Sequence, residues 1–213
     1  EKSNVKIFIS QRFSLDVLSI QSVYYRVKEN ANVEFVQVDL GGRENYVSYI
    51  GDLVDNNSNV NVNSIYFGKN EQKLDFNYVA TQRGRATNYD LAIKGALADR
   101  AQKTCKVTID FKRGSSTSKG SEEEYVTLLS DDIKNVAVPI LLCTEDDVEG
   151  IHAASAGKID ENILFYIMSR GFSESEAKRL ILESKFAETI DLIDSEEIRE
   201  RVYTTLSKKL SEV

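Results

Sequence analysis

The chain has 213 residues, 41% of them apolar, enough to bury a sizeable core in one large domain or a domain with an appendage. Its 34 acidic and 27 basic side chains leave a net charge of −7, which argues against a general nucleic-acid binder or a binder of anionic membranes, since both need a basic field. No apolar run approaches the roughly 20 residues that span a bilayer, and the opening EKSNVKIFIS lacks the apolar core of a signal peptide, so a cytoplasmic protein is expected.

The chain opens on Glu1 rather than Met and enters an apolar alternation almost at once, as a fragment lacking its N-terminal region would. From Val5 to Cys143 the dominant signal is a series of short β-branched and aromatic stretches: VKIFI, SVYYRV, VEFVQVDL, YVSYIGDLV, VNVNSIYF, LDFNYVA, NYDLAIKGAL, CKVTIDF, YVTLL and VPILLC. These read as strands. Five begin near Val33, Tyr46, Val60, Leu74 and Asn88, a step of about thirteen or fourteen residues, with Asn, Gly, Asp and Ser as turn formers between them. Such a step, with a single proline in the chain, suits a parallel β-solenoid in which each strand stacks on its equivalent in the next coil. An antiparallel sandwich stays open on periodicity alone.

After Ile159 the spacing turns helical. Asp160 is placed to cap a helix over Ile163, Leu164, Ile167 and Met168, with Gly171 ending it in a left-handed conformation. Ser173 and Glu176 form a capping box ahead of Ala177, Leu180, Ile181 and Phe186. Asp194 with Glu197 starts a third helix, in which Ile198, Val202, Leu206 and Leu210 share one face. The division is therefore a β core over 1–158 and a helical region over 159–213. A solenoid end exposes strand edges, so the helices are expected to form a terminal cap.

Cys105 and Cys143 are too few and too far apart for a disulfide framework, and neither belongs to a CxxC pair. Each ends or begins an apolar strand, where a cysteine acts as a small buried hydrophobe. The segment from Gly114 to Gly120 lacks the Gly-Lys-Ser/Thr order of a phosphate loop and reads as a mobile surface loop, with the Glu122–Glu124 run after it as a solvated face or turn. Arg83-Gly84-Arg85 reads as an exposed turn rather than a nucleic-acid patch. No GxSxG elbow accompanies the single histidine, which leaves paired carboxylates of a solenoid carbohydrate-active enzyme as the remaining hydrolytic reading.

The stretch from Cys143 to Phe172 carries the most information. It holds His152, then the small residues Ala153 to Gly157, then Lys158-Ile159-Asp160-Glu161, and finally Leu164-Phe165-Tyr166 with Arg170-Gly171. In that order these residues resemble the SufB/SufD family of iron–sulfur cluster assembly proteins. Upstream, Lys94-Gly95-Ala96-Leu97, Ser118-Lys119-Gly120 with its acidic run, and Leu128-Leu129-Ser130-Asp131-Asp132 extend the resemblance over most of the chain. It implies a right-handed parallel β-helix with a C-terminal α-helical cap, acting as a non-enzymatic scaffold component in complex with a SufC-type ATPase and a SufB-type partner. A homodimer, with a second copy in place of the partner, is the alternative.

SufB-like members place the matching histidine between two glutamates and carry a functional cysteine upstream. Here the flanking residues are Ile151 and Ala153, and an ungapped count puts Glu124 where that cysteine would stand, so the resemblance is to the SufD-like branch. It implies that His152 serves at the junction with the partner. Alone, a histidine between Ile151 and Ala153 reads as a packed, hydrogen-bonded residue. Cys143, nine residues earlier, is the second candidate ligand. Two cysteines and one histidine make no complete ligand set without carboxylates or a partner chain, so what the resemblance implies is an iron–sulfur cluster that is transient and shared with a partner, the alternative being none in the isolated chain. For the ATPase contact the candidates are Leu164, Phe165, Arg170, Gly171, Leu180, Ile181 and Phe186.

Overall fold

The computed structural model describes residues 2–211. Of the ranges given above, Glu1, Glu212 and Val213 lie outside the described residues.

Eleven strands come first: β1 (Asn4–Gln11), β2 (Leu18–Val27), β3 (Asn32–Asp39), β4 (Glu44–Leu53), β5 (Asn59–Gly68), β6 (Lys73–Gln82), β7 (Asn88–Leu97), β8 (Gln102–Phe111), β9 (Ser118–Leu128), β10 (Lys134–Cys143) and β11 (Val148–Gly157). Three helices follow: α1 (Glu161–Met168), α2 (Glu174–Asp191) and α3 (Glu196–Leu210). Odd strands form one sheet and even strands the other, in sequence order and all parallel, so the chain crosses between sheets at every turn. The result is a β-solenoid of about five coils, two strands to the coil. The thirteen-to-fourteen-residue step of the sequence is half a coil. Stacked residues stand 26 to 32 positions apart, Leu18 on Glu44 at one extreme and Gln102 on Lys134 at the other.

Period-two alternation makes this arrangement. In β6 the side chains Leu74, Phe76, Tyr78 and Ala80 point inward while Lys73 and Asp75 face solvent. Inward residues of both sheets merge into one core, with Phe35, Tyr66, Tyr89 and Leu91 facing Tyr49, Phe76, Tyr78 and Val107. Rings run through it at centroid separations of 5.0 to 5.3 Å, from Tyr25 through Phe35 and Tyr49 to Tyr78, a spacing that adds to simple burial. At the corners Asn30, Asn57, Asn70 and Asp99 adopt left-handed backbone (φ 56 to 57°), which their short polar side chains tolerate. One column of Asn side chains is laddered, Asn59 Nδ2 donating to Asn32 Oδ1 at 2.8 Å and Asn32 Nδ2 to Asn4 Oδ1 at 2.7 Å.

The outward face of the odd sheet is apolar towards the strand ends, and the helices cover it. Val36, Val38, Leu40, Ile65, Phe67 and Ala96 pack against Leu182, Phe186, Ile190, Val202 and Leu206 in a second core. The cap therefore lies along the side of the stack instead of closing its end. Lys6 reaches Asp194 at 2.9 Å, Lys185 donates to Thr127 Oγ1 at 2.9 Å, and Lys94 pairs with Glu188, so polar ties flank that core.

Asp160 caps α1 through Asn162 N, and the Ser173–Glu176 capping box opens α2 as expected. Gly171 takes a φ of +100° just beyond α1. The third helix starts one residue later than expected, capped by Ser195, because Asp194 is engaged with Lys6.

One local expectation is corrected, and one strand was not foreseen. The acidic run is not a solvated face, since Ser118 to Leu128 form β9 and place Glu122 and Glu124 inside, 2% and 1% exposed, while Glu123 alone of the three points out. Val148 to Gly157, rich in Ala, Gly and Ser, has weak intrinsic β-propensity, yet it pairs residue for residue with β9 as β11; the neighbouring strand overrides propensity. The turn at Arg83-Gly84-Arg85 stands as read. Arg83 Nε donates to Asp52 at 2.7 Å, and Gly84 is obligatory because a Cβ would lie 2.2 Å from the Asp55 carbonyl carbon.

Candidate functional site

The last coil, β10 and β11, has no further strand on its outer side within the described residues, so one edge of each sheet is unpaired. Leu141, Leu142 and Ile151 are exposed there. Cys143 closes β10 and is exposed, contrary to the buried-hydrophobe expectation, because no coil stacks over it. Cys105 behaves as expected. It is 1% exposed within the core, and burial pushes its thiol well above the ordinary range, which makes it a poor thiolate donor.

His152 sits in the middle of β11, in register with Glu122 one coil below. Both belong to the inward-pointing parity, and His152 Nδ1 lies 2.6 Å from Glu122 Oε2. The histidine side chain is 18% exposed and the glutamate 2%. Burial raises the Glu122 carboxyl above its usual range, a shift opposed by its hydrogen bond to His152. The other ring nitrogen, Nε2, is buried without a hydrogen-bond partner. An unsatisfied buried polar atom costs about 1–3 kcal/mol.

Two residues further along β9, Glu124 meets the ammonium of Lys103 from β8 across the interior, both essentially inaccessible at 1% and 0% side-chain exposure. A charge pair this dry persists only because each partner removes the other's desolvation penalty. Lys103, Glu124, Glu122 and His152 thus bring polar groups from β8, β9 and β11 into the end of the solenoid. Glu122 and Lys103 were not singled out from the sequence. The signal was the alternation Ser118, Gly120, Glu122, Glu124, Val126, which puts the first and last glutamates of the run on the same face as apolar neighbours.

Of the two candidate cluster ligands, the structure places both on the last coil but on opposite sheets, His152 mid-strand and Cys143 at a strand end. Among the described residues no group of three or more His, Cys, Asp or Glu is arranged to hold a metal ion. His152 fits iron as a donor through Nε2, and the exposed Cys143 thiol fits a cluster chemically. By itself the chain presents separate donors.

The candidate ATPase-contact residues divide. Ile181 and Phe186, 8% and 1% exposed, are buried on the inner side of α2, Phe186 in the second core, and so belong to the chain's own packing. Leu180 and Leu164 are half-buried, whereas Phe165 is 73% exposed and Arg170 and Gly171 lie at the surface. No residue of α1 is buried, and Ile163, Tyr166, Met168 and Phe172 are exposed along with Phe165. Arg170 folds back over the Tyr166 ring at 5.1 Å from its centroid. No helix among the described residues is long and apolar enough to cross a membrane.

Comparison with known proteins agrees with this architecture. The family model described as SUF system FeS cluster assembly, SufBD core domain, matches residues 1–185. The chain is 29% identical over 147 residues to the iron–sulfur cluster assembly protein SufD of Bacillus subtilis, covering 69% of this chain and 34% of that protein. It is 30% identical over 165 residues to a SufBD family protein of Pyrococcus horikoshii, covering 74% and 35%. It is also 24% identical over 222 residues to the SufD protein of Plasmodium falciparum, covering 98% and 14%. The chain spans about a third of the length of the first two relatives. By the extent of the family match and the solenoid that carries it, the chain belongs to the SufBD family of SUF-system iron–sulfur cluster assembly proteins, with SufD-like relatives at modest identity.

Proposed function

We propose that the chain works as a non-enzymatic, SufD-like part of the scaffold on which iron–sulfur clusters are assembled, with the cluster as cargo rather than resident cofactor. The observation that carries this reading is the open last coil with His152 on it, its Nε2 without a hydrogen-bond partner. Two unpaired parallel edges, β10 and β11, invite a second β-helix to continue both sheets by strand addition. A SufB-type partner docked there would bring its own donors towards His152 and supply ligands that this chain lacks. Cys143, exposed on the same coil, is the other donor within reach of such a junction.

The ATPase partner, of the SufC type, binds the apolar surface of α1, with Phe165 and Arg170 at its centre and Leu164 and Leu180 towards its edge. Ile181 and Phe186, buried on α2, lie outside that surface. This placement rests on the exposure of five large apolar side chains on and just after a helix that buries none, an unusual concentration for a surface without a partner.

The test is anaerobic co-purification with SufC-type and SufB-type partners, followed by iron and sulfide analysis. A complex carrying both elements, with iron and sulfide lost on His152→Ala while the complex stays intact, supports the reading. A chain that purifies without partner or metal, or a His152→Ala complex with undiminished iron and sulfide, refutes it. Recovery of a two-copy assembly with iron would favour the homodimeric scaffold.

A further inference from the structure

We propose that Glu122 is a positioning residue for His152. Its carboxylate accepts from Nδ1–H, fixes the ring in that tautomer, and thereby turns Nε2 outward from the hydrogen-bond network as a free lone pair for a divalent metal ion. The inference rests on the ligand reading of His152 given above and adds to it the group that prepares the ligand.

Three independent features of the geometry carry it. The contact is short, 2.6 Å between Nδ1 and Oε2, and in register, because Glu122 and His152 are direct partners in the β9–β11 ladder. The carboxylate is held from below by a rigid strand and is 2% exposed, so it has little freedom to turn elsewhere. Finally, Nε2 has no partner although it is buried. A histidine kept only for packing would gain by using both nitrogens. One that uses Nδ1 on a carboxylate and leaves Nε2 unpaired has the arrangement by which carboxylates orient imidazole ligands and raise their basicity.

The neighbouring groups leave the pairing to His152. Glu124, on the same face of β9, takes the hydrogen bond of the Lys103 ammonium, and His152 is the hydrogen-bond partner of the Glu122 carboxyl.

The chain holds one histidine, so its ring can be read without assignment ambiguity. Ring-15N histidine is incorporated into the intact chain, and the tautomer is read from the two nitrogen shifts and their couplings to the ring carbons' protons at alkaline pH, where imidazole is neutral. The expected result is protonation on Nδ1 with Nε2 unprotonated. In Glu122→Gln the amide can serve as donor or acceptor, and the population should move towards the Nε2–H form. Glu122→Asp, which keeps a carboxylate on the same strand, should retain more of the Nδ1–H form than the amide does. A wild-type ring protonated on Nε2, or a tautomer unchanged in Glu122→Gln, overturns the proposal; the first needs no variant to fold. Titration with Zn²⁺ alone, a diamagnetic probe, separates the two layers. A Nε2 shift on adding Zn²⁺ supports both the positioning role and the ligand reading. A correct tautomer, sensitive to Glu122 but with Nε2 indifferent to Zn²⁺, upholds the positioning role and counts against His152 as a ligand.

Discussion

Replacing Lys103 by methionine removes a side chain that is 0% exposed and leaves Glu124, 1% exposed, without its counter-charge. Methionine matches the lysine stem in length and packs in the same channel beside Cys105 and the solenoid core. The loss is therefore electrostatic rather than volumetric. Stranding one member of a buried pair costs about 3–5 kcal/mol, against a total stability on the order of 5–15 kcal/mol for a folded domain. At roughly 2–4 °C per kcal/mol for a chain of this size, Tm should fall by about 6–20 °C. The assay is urea unfolding followed by circular dichroism, run as a double-mutant cycle with Glu124→Leu. The double variant, Lys103→Met with Glu124→Leu, carries no buried charge at this point and should recover to within about 1 kcal/mol of the parent, or exceed it. Because β8 and β9 are stacked elements of a solenoid, the single variant should first lose amide protection in β8 to β11 and only later in β3 to β6. A single variant that costs less than about 1 kcal/mol, or a double variant as unstable as either single, would refute the claim that this pair is dry and mutually dependent.

Other consequences follow from the interior and the corners. Asp39 is buried, and burial raises its carboxyl pKa to about 6 despite hydrogen bonds from Asn45 and Gln37. Its folded pKa lies above the unfolded value of about 3.9, so the folded state holds the proton more tightly. The stability this gives is fully present below about pH 4 and is lost as pH rises through about 6, up to about 3 kcal/mol. Denaturation midpoints measured from about pH 4 to pH 8 should decline across that window, and Asp39→Asn should flatten the decline. Gly95→Ala would set a Cβ 2.0 Å from the buried Tyr66 ring and should destabilise by about 3 kcal/mol or more, whereas Gly157→Ala meets nothing within 4 Å and should leave Tm unchanged. Thr117 holds a φ of +61° at a coil corner; Thr117→Asn, better suited to that conformation, should raise stability by about 1 kcal/mol in the same denaturation assay, and a loss would show that the threonine side chain carries an offsetting contact.

The strands from Val33 to Phe111 were legible because both their faces are decided by period two, and three of the turns between them use Asn57, Asn70 or Asp99 where the backbone goes left-handed, although Ala86 does so too. What the half-coil step could not reveal was the partner of each strand. A step of thirteen or fourteen residues fits neighbours in one sheet as well as strands in opposite sheets, and only the stacked pairs 26 to 32 residues apart decide it. β11 was missed as a strand because Ala, Gly and Ser carry no periodic signal, and its existence depends on β9. The cap was legible as three helices but not in its position, since the apolar ends Val36, Val38, Ile65 and Phe67 that receive it read as ordinary strand residues. His152 was found by resemblance. Its partner was not, because a run of three glutamates suggests solvent until the strand's parity is known.

That parity also explains how the site is built. Glu122 and His152 meet because both fall on inward positions of strands one coil apart, in a parallel ladder where each residue faces its counterpart in register. In such a ladder a slip of one residue reverses every side chain. If β11 slipped by one, Ile151 or Ala153 would take the inward place and His152 would point to solvent, with the backbone path almost unaltered. The site's geometry is thus stored in the lengths of the turns at Gly114–Thr117 and Thr144–Asp147, and in the anchoring of each turn. Glu145 does this directly, its Oε2 accepting from Gly114 N at 2.9 Å and tying one corner to the corner below. Thr117 N donates to Asp147 O at 2.6 Å and locks the same two corners a second time. Two ties on successive turns hold the parity of β11 against β9, which is why a strained φ at Thr117 is tolerated there and why the donor atom of His152 can be placed by a strand of weak intrinsic propensity.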